Sequence, residues 1–197
     1  MRTDMILLDL DSTLLNDDKK ISDGDIKSLW DMSNAGMYVG YVTSRTSHRI
    51  KEILNLCPCD CLALYNGAAI TINRMNESKI EKYYGIDGRL AIELLDYIYH
   101  QTECEVSAYF ECYSIWNGKV SSDGKEIGYY ETYKAVLSEC KCQRIRIYNA
   151  RGIISLLENS VLHIYYEKND ILIESMDIDK GFAVKTLCSL LCIKKQN

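Results

Sequence analysis

Residues Met5 to Leu8 form an apolar run that delivers two carboxylates, Asp9 and Asp11, with Ser12-Thr13-Leu14-Leu15 directly behind them. A short strand ending in D-x-D sets both acids at its carboxyl tip, where open α/β sheets hold their ligands. The following residues fit such a sheet. Ser22 to Ala35 reads as a helix, with Ser22 as N-cap, Ile26, Leu29 and Trp30 on one face, and Gly36 as its stop. Met37 to Val42 is the next strand, and a helix around His48 to Leu56 is buried through Ile50, Ile53 and Leu54. Cys61 to Tyr65 reads as a third strand, ended by Asn66-Gly67. This alternation implies an α/β fold with a Rossmann-like parallel sheet and right-handed crossovers.

The pattern then changes. Between Asn76 and Asp170 lie 12 of the 15 tyrosines, so this block packs by different rules. Leu90, Leu94, Leu95 and Ile98 mark a helix. Val106 to Trp116 and Lys119 to Ser121 flank Asn117-Gly118, a strong hairpin signal. A helix is expected over Ile127 to Cys140, and Arg144 to Tyr148 alternates like a half-buried strand. Val161 to Tyr166 and Ile171 to Ser175 flank Lys168-Asn169-Asp170 as a second hairpin. The block reads as an α+β cap domain over 76–171, inserted into a core made of 1–75 and 172–197. A helical pattern follows Lys180-Gly181, through Phe182, Val184, Leu187, Leu190 and Leu191.

Composition narrows the function. A net charge of −5 without a basic arm argues against nucleic acid as a partner. No apolar stretch is long enough to span a bilayer, and Asp4, Asp9 and Asp11 break up any secretory leader, so the expected location is the cytoplasm. The nine cysteines are odd in number and carry no export signal, which disfavours a disulfide framework. Cys57, Cys59 and Cys61 alternate as C-P-C-D-C, whereas zinc sites favour C-x-x-C pairs. Cys188 and Cys192 are expected on the core face of the last helix. His48, His100 and His163 show no ligand spacing. Arg144 and Arg146 share one strand face, open to solvent or to an acidic substrate.

Three motifs carry the chemistry: Asp9-Leu10-Asp11-Ser12-Thr13 at the first strand tip, Thr43-Ser44-Arg45 at the second, and Lys180-Gly181 opening the last helix. A carboxylate nucleophile at Asp9 splits phosphoryl transfer into two in-line steps through an aspartyl-phosphate. Asp11 would protonate the leaving alkoxide and then deprotonate the attacking water. The Thr43 hydroxyl and the Ser44 backbone N–H can hold phosphate oxygens at a helix N-terminus. Lys180 would neutralise charge on the phosphate and the carboxylates. Mg2+ would bridge Asp9 and a substrate oxygen. The plain alternative for each motif is a helix cap or a solvated turn.

In order and spacing this set resembles the haloacid dehalogenase (HAD) superfamily of phosphatases. It is most similar to the Cof-type subgroup, which inserts an α/β (C2-type) cap between its second and third motifs. The Asn66-Gly67 turn is part of that likeness. The resemblance implies Asp9 as nucleophile and Asp11 as general acid/base. It also implies a phosphate cradle of the Leu10 backbone, Thr43, Ser44 and Lys180, and magnesium on Asp9 and the Asp11 carbonyl. The expected reaction is hydrolysis of a small phosphate monoester, such as a sugar phosphate.

Two departures stand out. Ser12 and Ser44 occupy positions where the subgroup usually has glycine, which a serine tolerates if its φ is negative. The subgroup's acidic fourth motif has no counterpart, since no Asp or Glu follows Asp179. In the resembled fold that motif's strand lies beside the first, so Met5 to Leu8 is expected to have an open edge. The expectation is either a shortened form of a longer product or self-association through that edge. A catalytically impaired remnant acting as a binding or regulatory module is the alternative function. A phosphotransferase or mutase sharing the covalent step is a third.

Overall fold

The computed structural model describes residues 5–73, 79–150 and 161–193. The chain divides into two compact units, one of residues 1–82 with 178–197 and one of 83–177.

The first unit carries a five-stranded sheet whose strands follow chain order: β1 (Met5–Leu8), β2 (Tyr38–Val42), β3 (Cys61–Leu64), β4 (Ala69–Ile72) and β5 (Ile80–Tyr83). β1 and β2 run parallel with Ile6 beside Val39, and β2 and β3 run parallel with Tyr41 beside Leu62. β4 turns back antiparallel on β3, so the sheet is mixed and not wholly parallel as expected. Alternation of Ala69, Ile70, Thr71 and Ile72 puts Ile70 and Ile72 in the core, a period-2 signal too short to stand out beside the preceding turn. Val39, Tyr41, Cys61 and Ala63 are fully buried, the near-continuous apolar run typical of parallel strands.

Helix α1 (Asp23–Asn34) begins where expected, with the Ser22 hydroxyl accepting from the Asp25 N–H, and packs on β2. The helix expected from His48 is shorter: a 3-10 turn over Ser47–Arg49 precedes α2 (Lys51–Leu56). Among the described residues β1 pairs only with β2, and its four residues are half-buried.

The second unit is a seven-stranded antiparallel sheet backed by two helices. Its elements are α3 (Gly88–Gln101), β6 (Val106–Phe110), β7 (Tyr113–Trp116), β8 (Lys119–Ser122), β9 (Lys125–Tyr129), α4 (Tyr130–Ser138), β10 (Cys142–Ile147), β11 (Leu162–Glu167) and β12 (Asp170–Ser175). The sheet order is β11-β12-β10-β6-β7-β8-β9. Ala91, Leu95 and Ile98 of α3 and Leu137 of α4 bury against Ala108, Ile115, Ile145 and Ile173 of the sheet.

Three expectations change here. The run 106–116 is two strands, because the chain reverses at Glu111-Cys112 and pairs Tyr109 with Ser114. Ile127 lies in a strand: Asp123 and Gly124 adopt positive φ, a hairpin turn that folds β9 onto β8 before α4 begins. The inserted unit reaches Asp177 instead of 171, since Ile171 and Ile173 of β12 pair with Ile147 and Ile145 of β10. The final helix, α5 (Lys180–Leu190), returns the chain to the first unit. Cys192 lies beyond it, exposed and at φ 54°, so it does not share the core face expected for it.

Candidate active site

β1 ends in a tight turn: the Leu10 carbonyl accepts from the N–H groups of Leu14 and Leu15 at 3.1 and 2.9 Å. The Leu10 side chain is fully buried, which fixes the turn from below and leaves Asp9 and Asp11 at the surface of the strand tip. Ser12 takes φ +61°, the left-handed conformation glycine adopts freely, so the negative φ on which tolerance of a serine depended is not met there. Ser44 is not among the positive-φ residues.

Thr43 directly follows β2 and is fully buried. The Thr43 Oγ1 accepts from the Arg45 N–H at 3.1 Å, so the hydroxyl's own proton is left to donate to an oxygen above the strand tip. Two further bonds hold this loop to the turn after β3: Asn66 N–H to the Thr43 carbonyl at 2.9 Å, and Tyr65 N–H to the Arg45 carbonyl at 3.2 Å. That turn is strained, with Tyr65, Asn66 and Gly67 at φ 50°, 59° and 116°. Ser44 is exposed in the loop, ahead of the 3-10 turn, so its amide is offered by a loop and not by the helix N-terminus expected.

Lys180 is the first residue of α5, whose N-cap Asp179 accepts from the Phe182 N–H at 2.6 Å. What seats this helix is Gly67. A Cβ there would lie 2.8 Å from the Ala183 Cβ, so only glycine lets the turn and α5 approach this closely.

The three motifs meet through ion pairs. Lys180 Nζ donates to Asp9 Oδ2 at 2.5 Å, a contact between residues 171 positions apart. Asp9 Oδ1 accepts from the Leu10 N–H at 2.8 Å. The Leu10 amide expected to cradle phosphate is therefore engaged by the carboxylate of Asp9. Asp11 is held from the other side: Arg45 Nε donates to Oδ2 at 2.8 Å and Nη2 to Oδ1 at 2.9 Å, a two-point fork, while Lys19 Nζ donates to Oδ1 at 3.1 Å. The Arg45 fork holds the Asp11 carboxyl down at about 2, partial burial opposing it and Lys19 assisting. Sequence reasoning missed Arg45 and Lys19. Arg45 was legible as a cation two residues past Thr43; Lys19 gave no signal, since a loop at φ 61° brings it back to Asp11.

The Asp9 carboxylate and the Asp11 backbone carbonyl are hard oxygen donors, the kind Mg2+ accepts. That ion commonly takes one or two protein carboxylates and fills its octahedron with water and phosphate oxygens. The donors fit magnesium in kind. Among the described residues no group of three or more His, Cys, Asp or Glu side chains forms a self-sufficient metal cage.

Comparison with protein families identifies the lineage of the chain. The model for haloacid dehalogenase-like hydrolases matches residues 6–197, and the chain belongs to that family. It is a hydrolase-family protein by descent. Comparison with curated protein sequences gives no match. Among solved structures, TM0651 from Thermotoga maritima superposes with a TM-score of 0.75 at 20% identity, over 98% of this chain and 77% of that one. A haloacid dehalogenase-like hydrolase from Bacteroides thetaiotaomicron gives 0.68 at 17%, over 98% and 79%. BT4131, described as a HAD subclass IIB sugar phosphatase, gives 0.63 at 13%, over 98% and 77%. At these identities the likeness is one of fold.

Proposed function

We propose that this chain is a magnesium-dependent phosphatase acting on a small phosphate monoester through an aspartyl-phosphate on Asp9. The contact between Lys180 Nζ and Asp9 Oδ2 carries the reading. It brings together the two ends of the motif series, and it leaves a cation where a transferring phosphoryl group needs one.

In the first step an Asp9 carboxylate oxygen attacks phosphorus in line as the ester P–O bond breaks. Asp11 gives its proton to the departing alkoxide. In the second step water attacks the phosphorus of the aspartyl-phosphate, its proton passes to Asp11, and the bond to Asp9 breaks to free phosphate. The Thr43 hydroxyl and the Ser44 and Leu10 amides would hold the equatorial oxygens. For Leu10 this requires release of the bond to Asp9 Oδ1. Arg45 favours the charged form of Asp11, so the geometry suits the proton-accepting step, and loading the acid for the first step works against the fork. Mg2+, held by Asp9 and the Asp11 carbonyl, would draw charge from the phosphoryl oxygens.

A sugar phosphate is the substrate class suggested by the similarity to BT4131. Nine cysteines, none in a disulfide among the described residues, suit a reducing compartment, hence the cytoplasm. Among the described residues no helix is long and apolar enough to cross a membrane.

The test is release of phosphate from p-nitrophenyl phosphate with and without Mg2+, by the wild type and by Asp9→Asn. Magnesium-dependent turnover that vanishes in Asp9→Asn supports the reading. Turnover that survives the substitution overturns it. A wild type without turnover favours the impaired binding module, a reading in line with the absence of a third acid beside Asp9 among the described residues.

A further inference from the structure

Arg45 touches no reacting atom in the chemistry above, yet it is among the most firmly held side chains near the site. Its backbone N–H donates to Thr43 Oγ1 and its carbonyl accepts from Tyr65. Its Nη1 donates to the Arg49 carbonyl at 3.1 Å, and its side chain is only 17% exposed. The remaining edge of the guanidinium forks onto Asp11.

The hydrogen bonds on Asp11 are unequal. A carboxylate oxygen has two acceptor positions. Among the described residues, Oδ1 takes both Arg45 Nη2 and Lys19 Nζ, whereas Oδ2 takes Arg45 Nε alone. One acceptor position is left open, on Oδ2.

We propose that Arg45 is a positioning residue for the general acid/base. It fixes the plane of the Asp11 carboxylate and assigns proton exchange to Oδ2. Arg45 touches neither Asp9 nor Lys180 in any hydrogen bond described above, so it acts on the reaction through Asp11. The inference rests on the phosphatase reading. Oδ2 passes a proton to the ester oxygen as the P–O bond breaks, and takes one from water as the new P–O bond forms and the bond to Asp9 breaks. A lysine at this position retains the charge but cannot fork, so it cannot hold the plane.

The experiment is a double-mutant cycle on the full chain with p-nitrophenyl phosphate and Mg2+: wild type, Arg45→Gln, Arg45→Lys, Asp11→Asn and the double variant Asp11→Asn/Arg45→Gln. Arg45→Gln and Arg45→Lys are each expected to lower kcat about tenfold or more, with KM changed less than about twofold. In the Asp11→Asn background, Arg45→Gln is expected to have no further effect, because the group it positions is already gone. Three results overturn the proposal: Arg45→Gln turning over as fast as the wild type or faster, Arg45→Lys recovering full kcat, or equal losses in both backgrounds, which marks a merely structural role. The Asp9→Asn control separates the two levels. If it retains activity, the phosphatase reading falls and this inference with it. If it is dead while Arg45→Gln is unaffected, only the role of Arg45 falls.

Discussion

Substitution of Gly67 by alanine tests how Lys180 is placed. Gly67 sits at φ 116°, and a Cβ built there lies 2.8 Å from the Ala183 Cβ and 3.3 Å from the Ala183 Cα and the Asp179 carbonyl. Two penalties follow. An L residue forced into that backbone region costs about 1–3 kcal/mol. Pushing α5 away from the turn adds an overpacking cost of about 1–3 kcal/mol. The sum, about 2–6 kcal/mol, is a large part of the stability of an ordinary domain. The two parts separate experimentally, because Ala183→Gly removes the nearest clash and leaves the backbone strain. Adding it to Gly67→Ala is expected to return about 1–2 kcal/mol, beyond the roughly 1 kcal/mol that glycine costs inside a helix. The two tryptophans fall in different units, Trp30 in the first and Trp116 in the second. Urea unfolding followed by Trp30 fluorescence in a Trp116→Phe background therefore reports on the unit that holds the site. Since α5 carries Lys180, kcat should fall in Gly67→Ala under conditions where the protein remains folded. A stability loss under about 1 kcal/mol with unchanged kcat would show that Gly67 does not seat this helix.

Three further outcomes are expected. Ser12→Gly should stabilise the protein by about 0.5–1 kcal/mol in the same urea assay, since relief of the left-handed strain exceeds the extra freedom gained by the unfolded chain; a loss of stability contradicts this. Asp11, its carboxyl held at about 2 by Arg45 against 3.8 unperturbed, contributes stability that is fully present above pH 4 and is lost as pH falls toward 2. Acid titration of the melting temperature should be shallower in that window for Asp11→Asn, and parallel curves for the two proteins refute the point. The half-buried edge of β1 should recruit a second copy, so light scattering across a concentration series is expected to show mass above the monomer, and a constant monomer mass rules this out.

The two acids, Thr43 and Lys180 were legible because each sits at the end of an element that announces itself locally. An apolar run of four residues, a helix stop at Gly36 and the helical pattern that follows Lys180-Gly181 place them without reference to distant parts of the chain. Arg45 and Gly67 carried the same kind of local signal, a strand tip and a turn. Their roles depend on what packs opposite them, Asp11 in one case and Ala183 in the other, and no local pattern encodes that. Tolerance of Ser12 was tied to a negative φ, but the three N–H groups converging on the Leu10 carbonyl bend the chain there regardless of residue type. The strand at Ile127 was hidden because Ile127, Tyr130 and Tyr133 mimic helical spacing, whereas the turn at Asp123-Gly124 decides the pairing. β4 escaped notice because its four residues follow the Asn66-Gly67 turn with so little spacing that they read as its continuation.

Asp9 and the lysine that meets it, Lys180, stand 171 positions apart in the chain. Residues 83–177 are contiguous, so their sheet can close during synthesis while the first unit still lacks α5. A nascent chain thus carries Asp9 without its counter-cation until α5 has been made and has docked, and on the phosphatase reading proposed above the site is assembled only then.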